Sequence, residues 1–183
     1  MLYTNQVISN SGVAFGTSGA RGLVTQFTTD VCAAFTHAFL NVAKQSFNFK
    51  ELAIAIDNRP SSYEMAKACA LACKQVGIEP IYYGIIPTPA LAFKAMEDKI
   101  PSIMVTGSHI PFDRNGLKFY RPDGEISKDD EQRIVNNQVQ FESLSSLSEL
   151  TVDSAAAKLF LLIPKLYLMK IKQKLNVGQR SMI

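Results

Sequence analysis

"LAIAIDNRPSSYEMAKACALACKQVG", residues 52–77, decides the fold. Its first five residues, Leu52 to Ile56, form a short unbroken apolar run, the pattern of a strand buried on both faces of a parallel sheet. A loop, Asp57-Asn58-Arg59-Pro60, interrupts the run. Met65, Cys69, Ala72, Cys73 and Val76 then recur at helical spacing. Ser61 and Glu64 have capping-box spacing at the front of that helix, and Gly77 is placed to end it. Strand, loop and helix in this order make half of a crossover unit.

The pattern continues outward. EPIYYG (79–84) predicts a second strand, PTPALAFKAM (87–96) a helix opened by prolines, and SIMVT (102–106) a third strand. Upstream, Asp30 is placed to cap a helix whose apolar face is Val31, Phe35, Ala38, Phe39 and Val42. Downstream, LKFYRPDGEIS predicts a hairpin around Pro122-Asp123-Gly124, after which Ser127 caps a polar helix, KDDEQRIV. The alternation argues for an α/β fold: a layered α/β/α domain with a mostly parallel mixed sheet. In such folds chemistry sits on loops at the carboxyl ends of strands. DNRP and TGSHIP both occupy such ends.

The 183 residues, 47% apolar and 19% charged, fit one globular domain, with a second small one barely accommodated. We read residues 1–150 as that domain and 151–183 as a linker and basic apolar tail, the truncated or displaced start of a second domain. The stretch between Gln140 and Asp153 is serine-rich, as a linker would be. All 16 acidic residues lie at or before Asp153, whereas residues 158–183 carry six Lys and Arg and no acid. The net charge of +3 therefore belongs to the tail, and the body gives no reason to expect a nucleic-acid partner. The apolar stretch LFLLIPKLYLM (159–169) is broken by Pro164 and Lys165 and is too short to span a bilayer, so membrane contact by the tail is not expected. Cys32, Cys69 and Cys73 fall on predicted apolar helix faces without a C-x-x-C, which predicts buried reduced thiols. The opening MLYTNQVISN has neither the basic start nor the apolar run of a signal peptide. Both features lead us to expect a cytoplasmic location.

The loop sequence TGSHIPFDRNGLKFY (106–120) sets Ser108 beside His109, with Lys118 further on. A G-x-S-x-G elbow is not met, which argues against an acyl hydrolase. Phosphoryl chemistry fits better, because a glycine-bearing loop offers free N–H groups to phosphate oxygens. A phosphoserine would bring about −1.5 to −2 charges, and Lys118, Arg21 and His109 are the candidate cations to meet them. A second loop, FGTSGARG (15–22), contributes Thr17, Ser18, Gly19 and Arg21 as candidate phosphate-binding residues. It is neither a P-loop nor a dinucleotide fingerprint, and taken alone it reads as a strand-to-helix loop.

Four motifs in order, FGTSGARG, IAIDNRPSS, GIIPTPAL and TGSHIPFDRNGLKFY, resemble the first domain of the α-D-phosphohexomutase family, which includes phosphomannomutase and phosphoglucomutase. The resemblance runs from Val13 to Val135. It implies an isomerase acting as an intramolecular phosphotransferase in carbohydrate metabolism, interconverting hexose 1-phosphate and 6-phosphate through a hexose 1,6-bisphosphate. It makes Ser108 the phosphoserine, His109 a positioning or proton-transfer group, and Lys118 and Arg21 the cations facing it. Asp57 and Arg59 match a D-x-R turn, read as scaffolding. The resemblance also implies Mg²⁺, with the Ser108 phosphate as one ligand. Family loops commonly read T-A-S-H-N-P, whereas Gly107 and Ile110 stand here. The family's D-G-D-x-D-R, G-E-x-S-G-H and R-x-S-x-T loops do not occur in these 183 residues. The expectation is therefore a domain inactive on its own, with self-association through uncovered interdomain surface. The alternative is a non-catalytic module that binds sugar phosphates or a partner.

Overall fold

The computed structural model describes residues 1–17 and 19–144; Ser18 and the expected linker and tail lie outside the described residues. The elements are β1 (Leu2–Tyr3), α1 (Thr4–Ser11), β2 (Ala14–Phe15), β3 (Ala20–Leu23), α2 (Thr29–Lys44), β4 (Glu51–Ile56), α3 (Ser62–Gln75), β5 (Glu79–Ile85), α4 (Thr88–Asp98), β6 (Ser102–Val105), β7 (Arg114–Arg121), β8 (Gly124–Glu125), α5 (Lys128–Val135) and β9 (Gln140–Phe141).

The Leu52–Ile56 run is the buried heart of the sheet. Its alternate residues serve two cores. Leu52, Ile54 and Ile56 face the layer of α2 and α3, while Ala53 and Ala55 face α4 with Leu91 and Met104. A strand covered on both faces has no polar side, which explains the unbroken apolar run. Helices therefore flank the sheet on both sides, giving three layers.

The strand order is β2-β3-β7-β6-β4-β5, with β8 on β7. The sheet is mixed as expected, and its parallel part is β6-β4-β5, at the end where β5 forms the edge. The pairings of β6, β3 and β8 with β7, and of β2 with β3, are antiparallel. Connection length decides this. Helices carry β4 to β5 and β5 to β6, but only residues 106–113 join β6 to β7, too few for a crossover. The predicted hairpin forms, with Arg121 paired to Gly124. Separately, β1 pairs with β9, Leu2 opposite Phe141.

Two helix starts differ from the sequence reading. Thr28, not Asp30, caps α2, its hydroxyl accepting the Val31 N–H at 3.2 Å. The Asp30 carboxylate instead accepts from the Ser143 hydroxyl (2.6 Å) and the Leu144 N–H (2.7 Å). At α3, Ser61 has helical dihedrals and forms no side-chain cap; its hydroxyl accepts from Asn115 Nδ2 at 2.8 Å. Ser127 caps α5 as expected, and Asp130 completes a capping box with it. Thr28→Ala should therefore lower stability by about 0.5–2 kcal/mol, read as a fall in the urea midpoint at constant m-value. Wild-type stability in that variant would reject the cap.

Cys32, Cys69 and Cys73 are free and buried between α2 and α3. Burial raises the Cys73 thiol well above its ordinary pKa. Among the described residues no helix is long and apolar enough to cross a membrane.

Candidate active site

Ser108 sits in the β6–β7 loop with φ +52°, the left-handed region. Among the described residues one other non-glycine shares that region, Lys99 at φ 56°, and it caps the C-terminus of α4. Ser108 ends no helix. A side chain in this conformation costs on the order of 1–2 kcal/mol, so its surroundings must hold it.

Asp57, the residue after β4, is the hub of what holds it. One carboxylate oxygen accepts from the Gly107 N–H (2.9 Å) and the Thr106 hydroxyl (3.0 Å). The other accepts from the Ser62 hydroxyl (2.6 Å) and the Arg59 N–H (3.1 Å). The Thr106 oxygen, having donated its proton to Asp57, accepts the Ser108 N–H at 2.9 Å. Buried Asn115 completes the chain, its Nδ2 donating to Ser61 and Ser62 and its Oδ1 accepting the Gly116 N–H. A carboxylate only accepts, so every donor in this network is assigned.

Burial pushes the Asp57 carboxyl up, but the hydrogen bonds from Ser62, the Arg59 and Gly107 N–H groups and Thr106 together hold it below its ordinary pKa. A depressed folded pKa gives stability that is complete above the unfolded value, near 3.9, and is lost as pH falls through the folded one. Acidification below about pH 3.9 should thus loosen the 106–113 loop, seen as faster amide exchange there. Asp57→Asn should remove that pH step; an unchanged step would place its origin elsewhere.

The remaining predicted residues fall as follows. His109 Nδ1 lies 3.2 Å from Ser108 Oγ, and both residues are exposed. Within FGTSGARG, β2 and β3 pair antiparallel with Phe15 opposite Ala20, so the stretch joins two strands and is not the strand-to-helix loop that its composition alone suggested. The Gly16 N–H donates to Gly19 O at 2.9 Å, with exposed Thr17 between them. Gly19 has φ +81°, and a Cβ on it would stand 2.5 Å from Leu117 O and 3.0 Å from Lys118 Cγ. Only glycine lets this tip lie against β7. Lys128 fastens the tip from α5 through Gly16 O, 3.1 Å away.

Arg21 pairs with Gly116, whose carbonyl accepts the Thr106 N–H at 3.0 Å. Arg21, Gly116 and Thr106 therefore lie side by side across three strands, and Ser108 follows two residues later. A Cβ on Gly116 would approach Ala20 O to 2.7 Å and Arg21 Cγ to 3.3 Å, so the glycine leaves Arg21 its path. Lys118 pairs with Met104 and lies on the α4 face, opposite to Leu117 and Phe119. Arg21 and Lys118 are half-buried, with no acidic partner among the described residues.

Sequence reasoning underestimated Arg59. Its side chain is 8% exposed, and its guanidinium donates to four loop carbonyls while facing Asp57. Thr106 and Asn115 had no local signal for their long-range bonds, Thr106 to Asp57 and Asn115 to Ser61 and Ser62, and the part of Ser62 depends on the same Asn115. Among the described residues no group of three or more His, Cys, Asp or Glu could hold a metal ion. Both oxygens of Asp57 are taken by hydrogen bonds. The described residues thus do not fit a complete metal site, and no step below runs through one.

Residues 12–143 match the family described as phosphoglucomutase/phosphomannomutase, alpha/beta/alpha domain I. A phosphomannomutase of Salmonella muenchen is 60% identical over 159 residues, covering 87% of this chain and 33% of that protein. A phosphomannomutase of Sinorhizobium fredii is 45% identical over 126 residues, covering 67% of this chain and 27% of that protein. The crystal structure of a phosphoglucomutase/phosphomannomutase family protein from Burkholderia thailandensis superposes with a TM-score of 0.56 at 26% identity, covering 73% of this chain and 30% of that one. The chain thus spans a third or less of the length of these relatives.

Proposed function

We propose a function from one premise: the chain belongs to the phosphoglucomutase/phosphomannomutase family, of which it holds the first domain. In our reading Ser108 carries the phosphoryl group in the interconversion of hexose 1-phosphate and hexose 6-phosphate. Its hydroxyl oxygen bonds to a phosphorus of a hexose 1,6-bisphosphate, and the bond from that phosphorus to the sugar oxygen breaks. The serine proton ends on the sugar oxygen. The reverse step returns the phosphoryl group to a hydroxyl of a hexose monophosphate. His109, 3.2 Å from Ser108 Oγ, is placed to move that proton when its Nδ1 is unprotonated. Arg21 and Lys118, cations on β3 and β7 with no acidic partner among the described residues, offset the charge of the phosphoryl group. Thr17 and Gly19 at the hairpin tip, and Ser18 between them in sequence, offer donors to a phosphate. Were the family's Mg²⁺ bound, the Ser108 phosphate would be one ligand, and the others would have to come from outside the described residues.

The observation that carries this reading is the left-handed Ser108, held by its own backbone while its hydroxyl stays exposed. Its test is incubation with glucose 1,6-bisphosphate followed by peptide mass analysis. One added phosphate on Ser108 is expected. Stable label on Thr17, Ser18 or Thr106 instead would overturn the assignment. The two relatives at 60% and 45% identity are named phosphomannomutases, which favours mannose phosphate as the hexose.

A further inference from the structure

We infer that Arg59 is the positioning residue of the Ser108 loop, and that it reaches the loop over Gly107 because residue 107 has no side chain. The inference rests on the reading of Ser108 as phosphate carrier. Arg59 Nη1 donates to the carbonyls of Pro111 (2.7 Å) and Arg114 (3.1 Å), and Nη2 to those of Ser108 (3.2 Å) and Ile110 (2.5 Å). Its Nε faces Asp57 Oδ2 at 3.4 Å, and the Phe112 ring lies 4.9 Å from the guanidinium carbon. The four Nη hydrogen bonds thus all go to carbonyls of this loop and of the first residue of β7, while Nε faces the carboxylate at the loop's root. A lysine, a single point charge, could not make this set.

Besides Arg59, the far end of the loop is tied by the Val24 N–H, which donates to Asp113 O at 2.8 Å. Two short backbone bonds, Ile110 N–H to Gly107 O and Arg114 N–H to Pro111 O, are its internal turns. Asp57 and Thr106 fix the N–H groups of residues 107 and 108, and Arg59 fixes the carbonyls that follow. The Ser108 carbonyl belongs to the peptide unit that carries His109. Holding it sets the approach of His109 Nδ1 to Ser108 Oγ, although Arg59 touches neither atom.

Gly107 is part of the same device. It is not in the left-handed region, so its backbone does not call for glycine. A Cβ there would lie 2.3 Å from Arg59 Cζ and 2.4 Å from Nε. Alanine at 107, which family loops commonly carry, therefore requires the guanidinium to shift from the position it takes here.

The experiment uses the whole chain as the parent, Arg59→Ala, Arg59→Lys, Gly107→Ala and the double variant Arg59→Ala/Gly107→Ala. Amide exchange of residues 106–116 and the rate of Ser108 phosphorylation by glucose 1,6-bisphosphate are measured together, with exchange in β4 and α2 reporting the global fold. Both Arg59 variants should exchange about tenfold or more faster in the loop alone and take up phosphate more slowly by a similar factor. Millimolar guanidinium should restore part of the Arg59→Ala rate. Gly107→Ala should slow phosphorylation when Arg59 is present and change little when it is absent. Unchanged loop exchange in Arg59→Ala, or faster exchange with an unchanged phosphorylation rate, would overturn the positioning role. Full activity of Arg59→Lys would do the same. An equal Gly107→Ala effect in both backgrounds would overturn the route over Gly107. If the Arg59 variants unfold globally, Gly107→Ala decides, since it leaves every charge in place. If the parent takes no phosphate on Ser108, the functional reading fails, and loop exchange alone decides whether Arg59 holds the loop.

Discussion

Ser108→Ala should abolish phosphate uptake from glucose 1,6-bisphosphate while leaving the fold intact. Ser108 Oγ accepts and donates nothing in the Asp57 network; what that network holds at residue 108 is its N–H. Alanine keeps that N–H and the Ser108 carbonyl bond to Arg59, so the loop has no reason to move. Ser108→Gly is the informative companion. At φ +52° a glycine avoids the Cβ penalty, so the glycine variant should be more stable than the alanine one by about 1 kcal/mol, provided its extra unfolded-state entropy does not absorb the gain. Both should be equally dead. A strained position filled by serine, where glycine relieves the strain, locates the use of the residue in its hydroxyl. Phosphate still appearing on the Ala variant, at Thr106 or in the FGTSGARG hairpin, would show that the acceptor lies elsewhere.

The parts of this arrangement differ in how far sequence exposes them. Leu52–Ile56 is legible because a strand between two helix layers needs apolar residues on both faces. The stripes of α2 and α3 are legible because one face of each is buried over several turns. α1 is not, since just Thr4 and Ile8 of its eight residues are buried. Two-residue strands such as β1, β2 and β9 are too short to show any period. The residues near Ser108 pose a different problem. Asp57 and Thr106 are 49 positions apart, and Asn115 and Ser62 are 53 apart, so proximity comes only from the pairing of β4, β6 and β7. Arg59 is the extreme case. It binds carbonyls, and every residue has a carbonyl, so its role leaves no trace in side-chain identity. Asp30 shows the converse, a good local cap diverted by Ser143 at a separation of 113 residues.

Assayed alone, the 183-residue chain should fall about 10²–10³-fold or more below the usual enzyme range of about 1–10³ s⁻¹ with mannose 1-phosphate or glucose 1-phosphate. A mutase must align the nucleophile, hold the sugar through its second phosphate, and neutralise the charge on the phosphoryl group in flight. If Ser108 is the nucleophile as proposed, the Asp57 and Arg59 contacts around it serve the first task. For the third, the described residues offer Arg21 and Lys118 and no cluster of metal ligands. Losing one preorganised donor typically costs about 10²–10³ in rate, and here a metal loop of the D-G-D-x-D-R kind is missing from the sequence altogether. Phosphorylation of Ser108 should nevertheless occur slowly and stop at one phosphate per chain, because uptake needs alignment of a single phosphoryl group whereas turnover also needs the intermediate to be held and reversed. The measurement is a coupled assay with Mg²⁺ and bisphosphate activator, on protein free of host mutase, beside the stoichiometry of Ser108 label. Turnover within the usual range would overturn the prediction and assign the missing functions to residues 145–183 or to a second copy of the chain. One phosphate per chain with negligible turnover is the expected result.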